Sequence, residues 1–343
     1  MDSLTHLFVG GAIGAAIAPA HRRRLAMLLG AALNSVPDID VPIAKLLALN
    51  PVDDMTWHRG PSHSLFVLIV AGLLIAAACR RWWPLWQEAP RRWFWMIMAC
   101  LLAHPLADAL TTYGTQLFWP VPTPPVMISS LFIIDPLFSL PLIVGCVAAW
   151  CYRLRHAAQV ALMVGLCLSM VYSGWSLVAK SMIEQSAASA LVELGLADAP
   201  RFSVPTPFNT LLWRVVVMTP GGYLEGERSL IADNGPMRFR TWPSDQQALR
   251  AVFAFAAVQR LVWFNHGFMS AQEVDGDLVL SDLRMGSEPD YAYRFVVATR
   301  GNSGAWVEIA PWALDWPWES SGRLRGLWTR IWHQPVDPAS NTR

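Results

Sequence analysis

Long apolar runs separated by short polar loops make up the chain as far as about residue 180. A membrane-spanning helix needs about 20 apolar residues, a length that the fourth, fifth and sixth runs reach, whereas the first and third are shorter. The pattern predicts an all-α transmembrane helix bundle of about five to six helices. The six runs are residues 4–20, 25–49, 64–79, 93–113, 127–152 and 157–178.

From about residue 181 the pattern changes to that of a soluble domain with mixed charge. One helix is predicted at 246–264. Strands, indicated by β-branched and aromatic residues, are predicted at 211–218, 222–230, 277–284, 291–299 and 305–309. We therefore predict a membrane-embedded helical domain at 1–180, a small α+β soluble domain with an antiparallel sheet at 181–335, and a disordered tail at 336–343.

The composition agrees with a membrane location. Hydrophobic residues make up 54% of the chain and charged residues only 15%, against about a quarter charged in a typical soluble domain. A net charge of +1 without a basic patch argues against nucleic-acid binding. The five cysteines show no CxxC spacing, and no basic region precedes the first apolar run as it would in a cleavable signal peptide.

The distribution of basic residues predicts the orientation in the membrane. If all six runs cross, nine Lys and Arg residues lie in loops on one side and two on the other. Because basic loops stay in the cytoplasm, we predict that the N-terminus and the soluble domain are extracytoplasmic. The nine are Arg22, Arg23, Arg24, Arg80, Arg81, Arg91, Arg92, Arg153 and Arg155, and the two are Lys45 and Arg59.

Histidine and aspartate side chains are concentrated in the first half of the chain, where few charges occur. A charge at the bilayer centre costs about 2.5–3.5 kcal/mol even on a lenient scale, so such groups need partners, water or a metal. The predicted topology brings all of them to the extracytoplasmic face. The seven are His6, Asp38, Asp40, His58, His63, His104 and Asp108.

The local spacing of these residues suits divalent-metal ligands. His104 and Asp108 are four apart, so they share one helix face. Asp38 and Asp40 lie between prolines that favour local unwinding, which would let both carboxylates turn inward. Each pattern alone also has a structural interpretation, as a helix-surface pair, a turn or a satisfied polar group. Nitrogen and oxygen ligands without cysteine suit zinc, manganese or iron.

Two further polar groups near the predicted site have structural alternatives. Ser62 lies between His58 and His63 and is predicted to cap the third apolar run. Asp135 is predicted either to cap the fifth run or to accept a hydrogen bond from a metal ligand.

Four motifs occur in an order that resembles a known family. They are Asp2-Ser3-Leu4-Thr5-His6, Val36-Pro37-Asp38-Ile39-Asp40, His58-Arg59-Gly60-Pro61-Ser62-His63-Ser64, and His104-Pro105-Leu106-Ala107-Asp108 with Thr112-Tyr113-Gly114-Thr115. Over about residues 1–180 the chain resembles the YdjM-like (also called LexA-binding) inner-membrane-associated family of metal-dependent hydrolases. Residues 205–223 with 282–286 resemble the extension of a longer subset of that family.

That family is in turn similar to zinc-dependent phospholipase C, whose zinc ions activate water against a phosphoester. The resemblance implies that Asp40 is a ligand or the catalytic base. The other implied ligands are His6, Asp38, His58, His63, His104 and Asp108. The chain lacks a late His/Glu ligand pair downstream of Asp108, which argues against a third ion.

These observations predict a multi-pass protein of the bacterial inner membrane that hydrolyses a phosphoester in a lipid or lipid-linked substrate with metal-activated water. Membrane lipids are its expected partners; no protein partner is indicated. The alternative is a non-catalytic membrane protein with a structural metal site and an outer binding domain. A transporter is a third hypothesis, but it would need charged groups distributed through the bilayer.

Overall fold

The computed structural model describes residues 1–152, 156–316 and 320–335. These residues form two compact units, and the division falls inside one long helix, between Gly174 and Trp175. The first unit comprises residues 1–128, 133–174 and 263–266, and the second comprises 129–132, 175–262 and the described residues from 267 onwards. The predicted disordered tail, 336–343, lies outside the described residues, as do Arg153 and Arg155 of one predicted cytoplasmic loop.

The first unit is built from helices joined by short turns. The helices are α1 (Ser3–Ile17), α2 (Arg23–Ser35), α3 (Asp40–Leu46), α4 (Pro51–Trp57), α5 (Leu65–Trp82), α6 (Pro90–Ala109), α7 (Pro136–Tyr152) and α8 (His156–Glu193), the last of which continues into the second unit. Short 3₁₀ turns connect several of them, at Ala20–Arg22, Pro37–Ile39, Pro61–His63 and Pro84–Glu88.

Two helices in the described residues, α5 and α8, are long and apolar enough to cross a membrane. Helices α1 and α7 are apolar but have only 15 and 17 residues. The structure therefore shows a mostly helical region with two candidate spans, and the bundle of five to six spanning helices stays a prediction. Many apolar side chains of α5 are exposed, among them Phe66, Val70, Leu73 and Leu74, as expected for a helix that faces lipid.

Proline and capping residues set several helix boundaries. The second apolar run is interrupted at the prolines around Asp38 and Asp40, where the sequence predicts a local departure from the helix: α2 ends at Ser35 and the turn Pro37–Ile39 separates it from α3. Helix α7 begins at Pro136, nine residues later than the fifth run. Asp135 caps it: its carboxylate accepts hydrogen bonds from the backbone N–H groups of Leu137 and Phe138, which satisfies donors that have no partner inside the helix.

Helices α1 and α2 pack with their backbones almost in contact. A Cβ on Gly10 would overlap the carbonyl oxygen of Gly30 and the Cβ of Asn34, and a Cβ on Gly14 would overlap the carbonyl oxygen of Ala26. Small residues at such crossings permit the close approach on which helix association in membranes depends. The contact fixes the position of Asn34, which lies next to His6.

Two of the loops predicted to be cytoplasmic meet at one end of the first unit. Glu88, between α5 and α6, accepts hydrogen bonds from His21 and Arg22, which join α1 to α2. Arg24 donates to the carbonyl oxygen of Trp150 in α7. The hydrogen bonds from Arg22 and His21 lower the pKa of the exposed Glu88 carboxyl to about 2, so this carboxylate is ionised throughout the physiological pH range.

The second unit contains two four-stranded antiparallel sheets, with strand orders β1-β2-β3-β4 and β10-β9-β6-β5, and a two-stranded ladder, β7-β8. Its strands are β1 (Arg201–Pro205), β2 (Leu212–Thr219), β3 (Gly222–Ser229), β4 (Arg240–Pro243), β5 (Met269–Val274), β6 (Asp277–Asp282), β7 (Gly286–Ser287), β8 (Asp290–Tyr291), β9 (Arg294–Arg300) and β10 (Trp306–Ala313). The predicted antiparallel α+β architecture is thus confirmed, but it has more than one sheet.

The prediction of one continuous helix at 246–264 is wrong. The structure has α9 (Gln246–Ala251) and α10 (Ala256–Asn265), and α11 (Ser320–Trp332) follows the last strand. The carboxylate of Glu308 accepts a hydrogen bond from the backbone N–H of Ala256 at 3.0 Å. This distant cap satisfies a donor at the start of α10, and a local sequence pattern cannot reveal it.

Candidate metal centre

Six of the predicted site residues come from five separate elements of the first unit, and His58 directly follows α4; the fold brings all seven together. Their ligand atoms form three overlapping triplets, within each of which all atoms lie within 4.8 Å of one another. The triplets are His6–His104–Asp108, Asp38–His63–His104 and Asp38–Asp40–His58. The structure thus shows clusters that could hold a metal ion, while the role of each residue as a ligand stays a prediction.

Four atoms meet at the centre of the cluster. The Nε2 atoms of His63 and His104 lie 3.0 Å apart. Asp108 Oδ2 lies 3.3 Å from the first of these nitrogens and 3.2 Å from the second. Asp38 Oδ1 lies 3.6 and 3.3 Å from the same two nitrogens. Each of the two carboxylate oxygens therefore lies within 3.6 Å of both imidazole nitrogens.

These separations fit a tetrahedral divalent ion. Bonds of about 2.0–2.1 Å from zinc to imidazole nitrogen or carboxylate oxygen place tetrahedral ligands about 3.3 Å apart. Asp108 Oδ2 is buried and has no hydrogen-bond partner in the part of the chain that the structure describes, although an unpaired buried carboxylate oxygen is costly. A cation between these four atoms would remove that cost, so the residues present fit the metal that the family resemblance implies.

Hydrogen bonds to the other ring nitrogens turn the two central histidines inward. Nδ1 of His104 lies 2.5 Å from the backbone carbonyl oxygen of Asn34, an acceptor only, so this nitrogen carries a proton and, in the neutral ring, Nε2 has the lone pair. Nδ1 of His63 lies 3.0 Å from Ser62 Oγ. Such outer contacts are the usual way in which proteins fix the tautomer and orientation of metal-binding imidazoles.

His6 extends the cluster on its buried side. Its ring stacks on that of His104 with 3.7 Å between centroids, and its Nε2 lies 3.2 Å from Asp108 Oδ1. The amino group of Met1 also contacts this oxygen. His6, His63, His104 and Asp108 are all at most 1% exposed, so this side of the cluster is closed to solvent.

The opposite side of the cluster is open. The side chains of Asp38 and His58 are each 26% exposed. Asp40 is buried behind them, with one carboxylate oxygen 3.2 Å from His58 Nδ1 and the other accepting from the backbone N–H of Arg59 and the hydroxyl of Ser62. Both Asp40 oxygens are therefore engaged, an arrangement that suits a residue which holds His58 and the turn after it.

Ser62 does not cap the third apolar run, contrary to the prediction. Ser64 is the cap of α5, where its hydroxyl accepts from the backbone N–H of Val67. The turn Pro61–His63 precedes that cap, so Ser62 points towards Asp40 instead. Pro105 lies inside α6, and the helix continues past it to place His104 and Asp108 on one face.

Two residues of the site were not predicted from the sequence. Asn34 is fully buried, and its side-chain amide donates to the carbonyl oxygen of His6. Arg59 is 4% exposed and places its Nη2 atom 3.0 Å from Asp108 Oδ1. A lone arginine between two of the predicted ligands, in a region of the sequence with few charges, is the signal that could have identified Arg59, since a charge in apolar surroundings needs a partner.

The comparisons with known proteins agree with the resemblance in the four motifs. Residues 1–183 match the family described as YdjM inner membrane protein. No curated protein and no solved structure matches the chain. The similarity to phospholipase C, the association with LexA and the resemblance of the C-terminal extension stay predictions. Because the match spans more than half of the 343 residues and contains all seven clustered side chains, the chain belongs to the YdjM inner membrane protein family.

Proposed function

We propose that this protein is a membrane-embedded, metal-dependent hydrolase that cleaves a phosphoester in a lipid or lipid-linked substrate. The observation that carries the proposal is the pair of imidazole nitrogens 3.0 Å apart with two carboxylate oxygens each within 3.6 Å of both, one of those oxygens having no hydrogen-bond partner among the described residues. An inner-membrane family supports a lipid substrate, because the clustered residues lie at one end of apolar helices.

His63, His104, Asp38 and Asp108 would hold the first ion, with His6 beside them. A divalent ion bound there would lower the pKa of a water molecule to about 7 and polarise the phosphoester. Zinc suits the mixed imidazole and carboxylate donors best, and manganese or iron are the alternatives. Burial of these side chains excludes bulk water from the inner side of the site, which strengthens the electrostatic interactions there.

Asp40 and His58 form a pair suited to proton transfer at the open side of the site. The Asp40 carboxylate lies 3.2 Å from His58 Nδ1, an arrangement that orients an imidazole and stabilises its protonated form. With Nδ1 as the donor, His58 Nε2 is left to take a proton. We propose that Asp40 acts through His58, rather than as a base in its own right, because its Oδ2 already accepts two hydrogen bonds and its Oδ1 faces His58 Nδ1.

We also propose that the chain crosses the inner membrane several times, with its second unit outside the cytoplasm. The contacts of Glu88 with His21 and Arg22 support a shared side for two arginine-containing loops, and the His/Asp cluster lies at the other ends of the same helices. A reporter that is active only outside the cytoplasm, fused after Glu193, should be active; activity of a cytoplasm-specific reporter there would overturn this topology.

Exchanging Asp40 for asparagine tests the catalytic proposal. The Asp40→Asn variant keeps the size of the side chain but no longer stabilises a protonated His58, so we expect hydrolysis to fall about 10²–10⁴-fold. The divalent-ion content should stay close to that of the wild type, because the four central donors remain. Release of phosphate or phosphorylated headgroup from lipid vesicles, measured beside elemental analysis, provides both values.

His21→Ala is the control, since this exposed histidine lies at the arginine-containing loops, away from the cluster; it should change neither value. If Asp40→Asn loses an ion in proportion to its activity, Asp40 is a ligand and the proton-transfer role is wrong. If the metal-loaded wild type hydrolyses no phosphoester, the protein is instead a non-catalytic membrane protein with a structural metal site.

A further inference from the structure

Arg59 is a buried cation that has no role in the hydrolysis proposed above for the metal and the Asp40–His58 pair. It follows α4, where its backbone has a φ of +61°, a left-handed conformation that costs energy for any residue other than glycine. Its guanidinium lies 4.9 Å from the centre of the Tyr113 ring, and its Nη1 donates to Thr111 Oγ1 at 2.9 Å. The fold thus holds this side chain in one orientation.

One donor of this guanidinium is unsatisfied. Nη2 faces Asp108 Oδ1 at 3.0 Å and Nη1 is bonded to Thr111, but Nε is buried and has no hydrogen-bond partner among the described residues. A buried N–H on a permanently charged group is costly to leave unpaired. If Arg59 served only to neutralise Asp108, its Nη2 atom would be enough. That function does not explain why the Nε–H group is buried without an acceptor.

The formal charge of the site favours an anionic ligand. With neutral imidazoles, the carboxylates of Asp38, Asp40 and Asp108 and the guanidinium of Arg59 give a formal charge of minus two, which becomes minus one when the Met1 amino group beside Asp108 is protonated. One divalent ion would neutralise a charge of minus two, and it would leave one positive charge in this largely buried site when the Met1 amino group is protonated. Such an excess needs an anion, because uncompensated charge is expensive inside a membrane protein.

We propose that Arg59 is a substrate-binding residue that recognises a phosphate oxyanion next to Asp108, with Nε as a donor. This inference rests on the proposed function, since it names the part of the substrate that this site binds. Arginine suits the role because its planar fork matches the geometry of phosphate oxygens, whereas lysine offers one compact charge. The phosphate could belong to a lipid headgroup or be free inorganic phosphate.

Phosphate binding by the Arg59→Lys variant tests the proposal without requiring turnover. Lysine keeps the positive charge beside Asp108 but loses Nε and the fork, so we expect an unchanged divalent-ion content and about a tenfold higher Kd for inorganic phosphate. The measurement is calorimetric titration of the full-length, metal-loaded protein in detergent. Arg22→Lys, the same exchange at the arginine-containing loops, should leave both values unchanged.

A second variant covers the case in which Arg59→Lys fails to fold. Thr111→Val removes the acceptor that orients Nη1, and we expect it to weaken phosphate binding as well while the ion content is kept. If either variant loses the ion but its remaining metal-loaded fraction binds phosphate with normal affinity, Arg59 only neutralises the charge of Asp108, and the proposal is overturned.

The source of the phosphate is decided by two ligands in the same assay. Binding of phosphatidic acid in vesicles that is much tighter than binding of inorganic phosphate, and equally sensitive to Arg59→Lys, would identify a lipid headgroup. Equal affinities would identify free phosphate. A metal-loaded wild type that binds neither ligand would overturn the inference, whereas binding without any hydrolysis would overturn only the proposed function.

Discussion

Replacing His104 by alanine is expected to lower the affinity for divalent ions by about 100-fold or more, since loss of even an outer-shell partner costs 10–100-fold. The reason is its position: His104 belongs to two of the three triplets, and its Nε2 contacts three other donors at 3.0–3.3 Å. Hydrolysis should disappear with the ion. Competition with a fluorescent chelator measures the affinity, and elemental analysis measures the content.

A comparison of His104→Ala with the wild type alone does not separate loss of a ligand from loss of stability, because His104 is fully buried and its removal leaves a cavity. His104→Gln, which fills more of the space but offers no imidazole nitrogen, should also lose the ion while it remains monodisperse in size-exclusion chromatography. His21→Ala should behave as the wild type. An undiminished ion affinity in folded His104→Gln would contradict the assignment of the cluster.

Replacing Gly10 by alanine should destabilise the first unit by about 1–3 kcal/mol, the usual cost of overpacking, or more if the helices cannot separate. The added Cβ would overlap the Gly30 carbonyl oxygen and Asn34, so α1 and α2 must move apart. Since the Asn34 carbonyl oxygen accepts the hydrogen bond from His104, the same shift should weaken ion binding. Thermal unfolding in detergent, with and without zinc, measures both effects.

Gly174→Ala is the matched control, because it makes the same change in the long helix α8 where a Cβ would meet nothing within 4 Å. Alanine favours a helix over glycine by about 0.5–1 kcal/mol, so this variant should be as stable as the wild type or slightly more stable. A Gly10→Ala variant of unchanged stability would show that the close contact of α1 and α2 is not important for the fold.

The composition of the cluster was predictable because the chain contains few charges. His and Asp side chains in apolar surroundings need partners, water or a metal. The unequal distribution of basic residues between the loops predicted that all seven lie at one face. The seven residues do meet in the structure, although they span the chain from His6 to Asp108. Family membership was also predictable, since four short motifs in a fixed order are far more specific than any single pair.

Other features depend on three-dimensional contacts that no local pattern encodes. The direction of Ser62 follows from a 3₁₀ turn that makes Ser64 the cap of α5. The role of Arg59 follows from its contact with Asp108, 49 positions away. The break between α9 and α10 accompanies a cap from Glu308. Hydropathy also misplaced helix ends in both directions: the fifth run starts nine residues before α7, because apolar residues can also lie in loops, whereas the sixth run stops at 178 although α8 continues to Glu193.

Anomalous X-ray diffraction from zinc-loaded crystals of the wild-type protein, recorded at the zinc absorption edge, tests the central claim most directly. We expect a peak within about 2.0–2.1 Å of both Nε2 atoms, of His63 and of His104, and within about 2.0–2.2 Å of a carboxylate oxygen of Asp38 or Asp108. Zinc found only at other residues, or no peak between these four side chains after loading, would contradict the claim that this cluster is a metal centre.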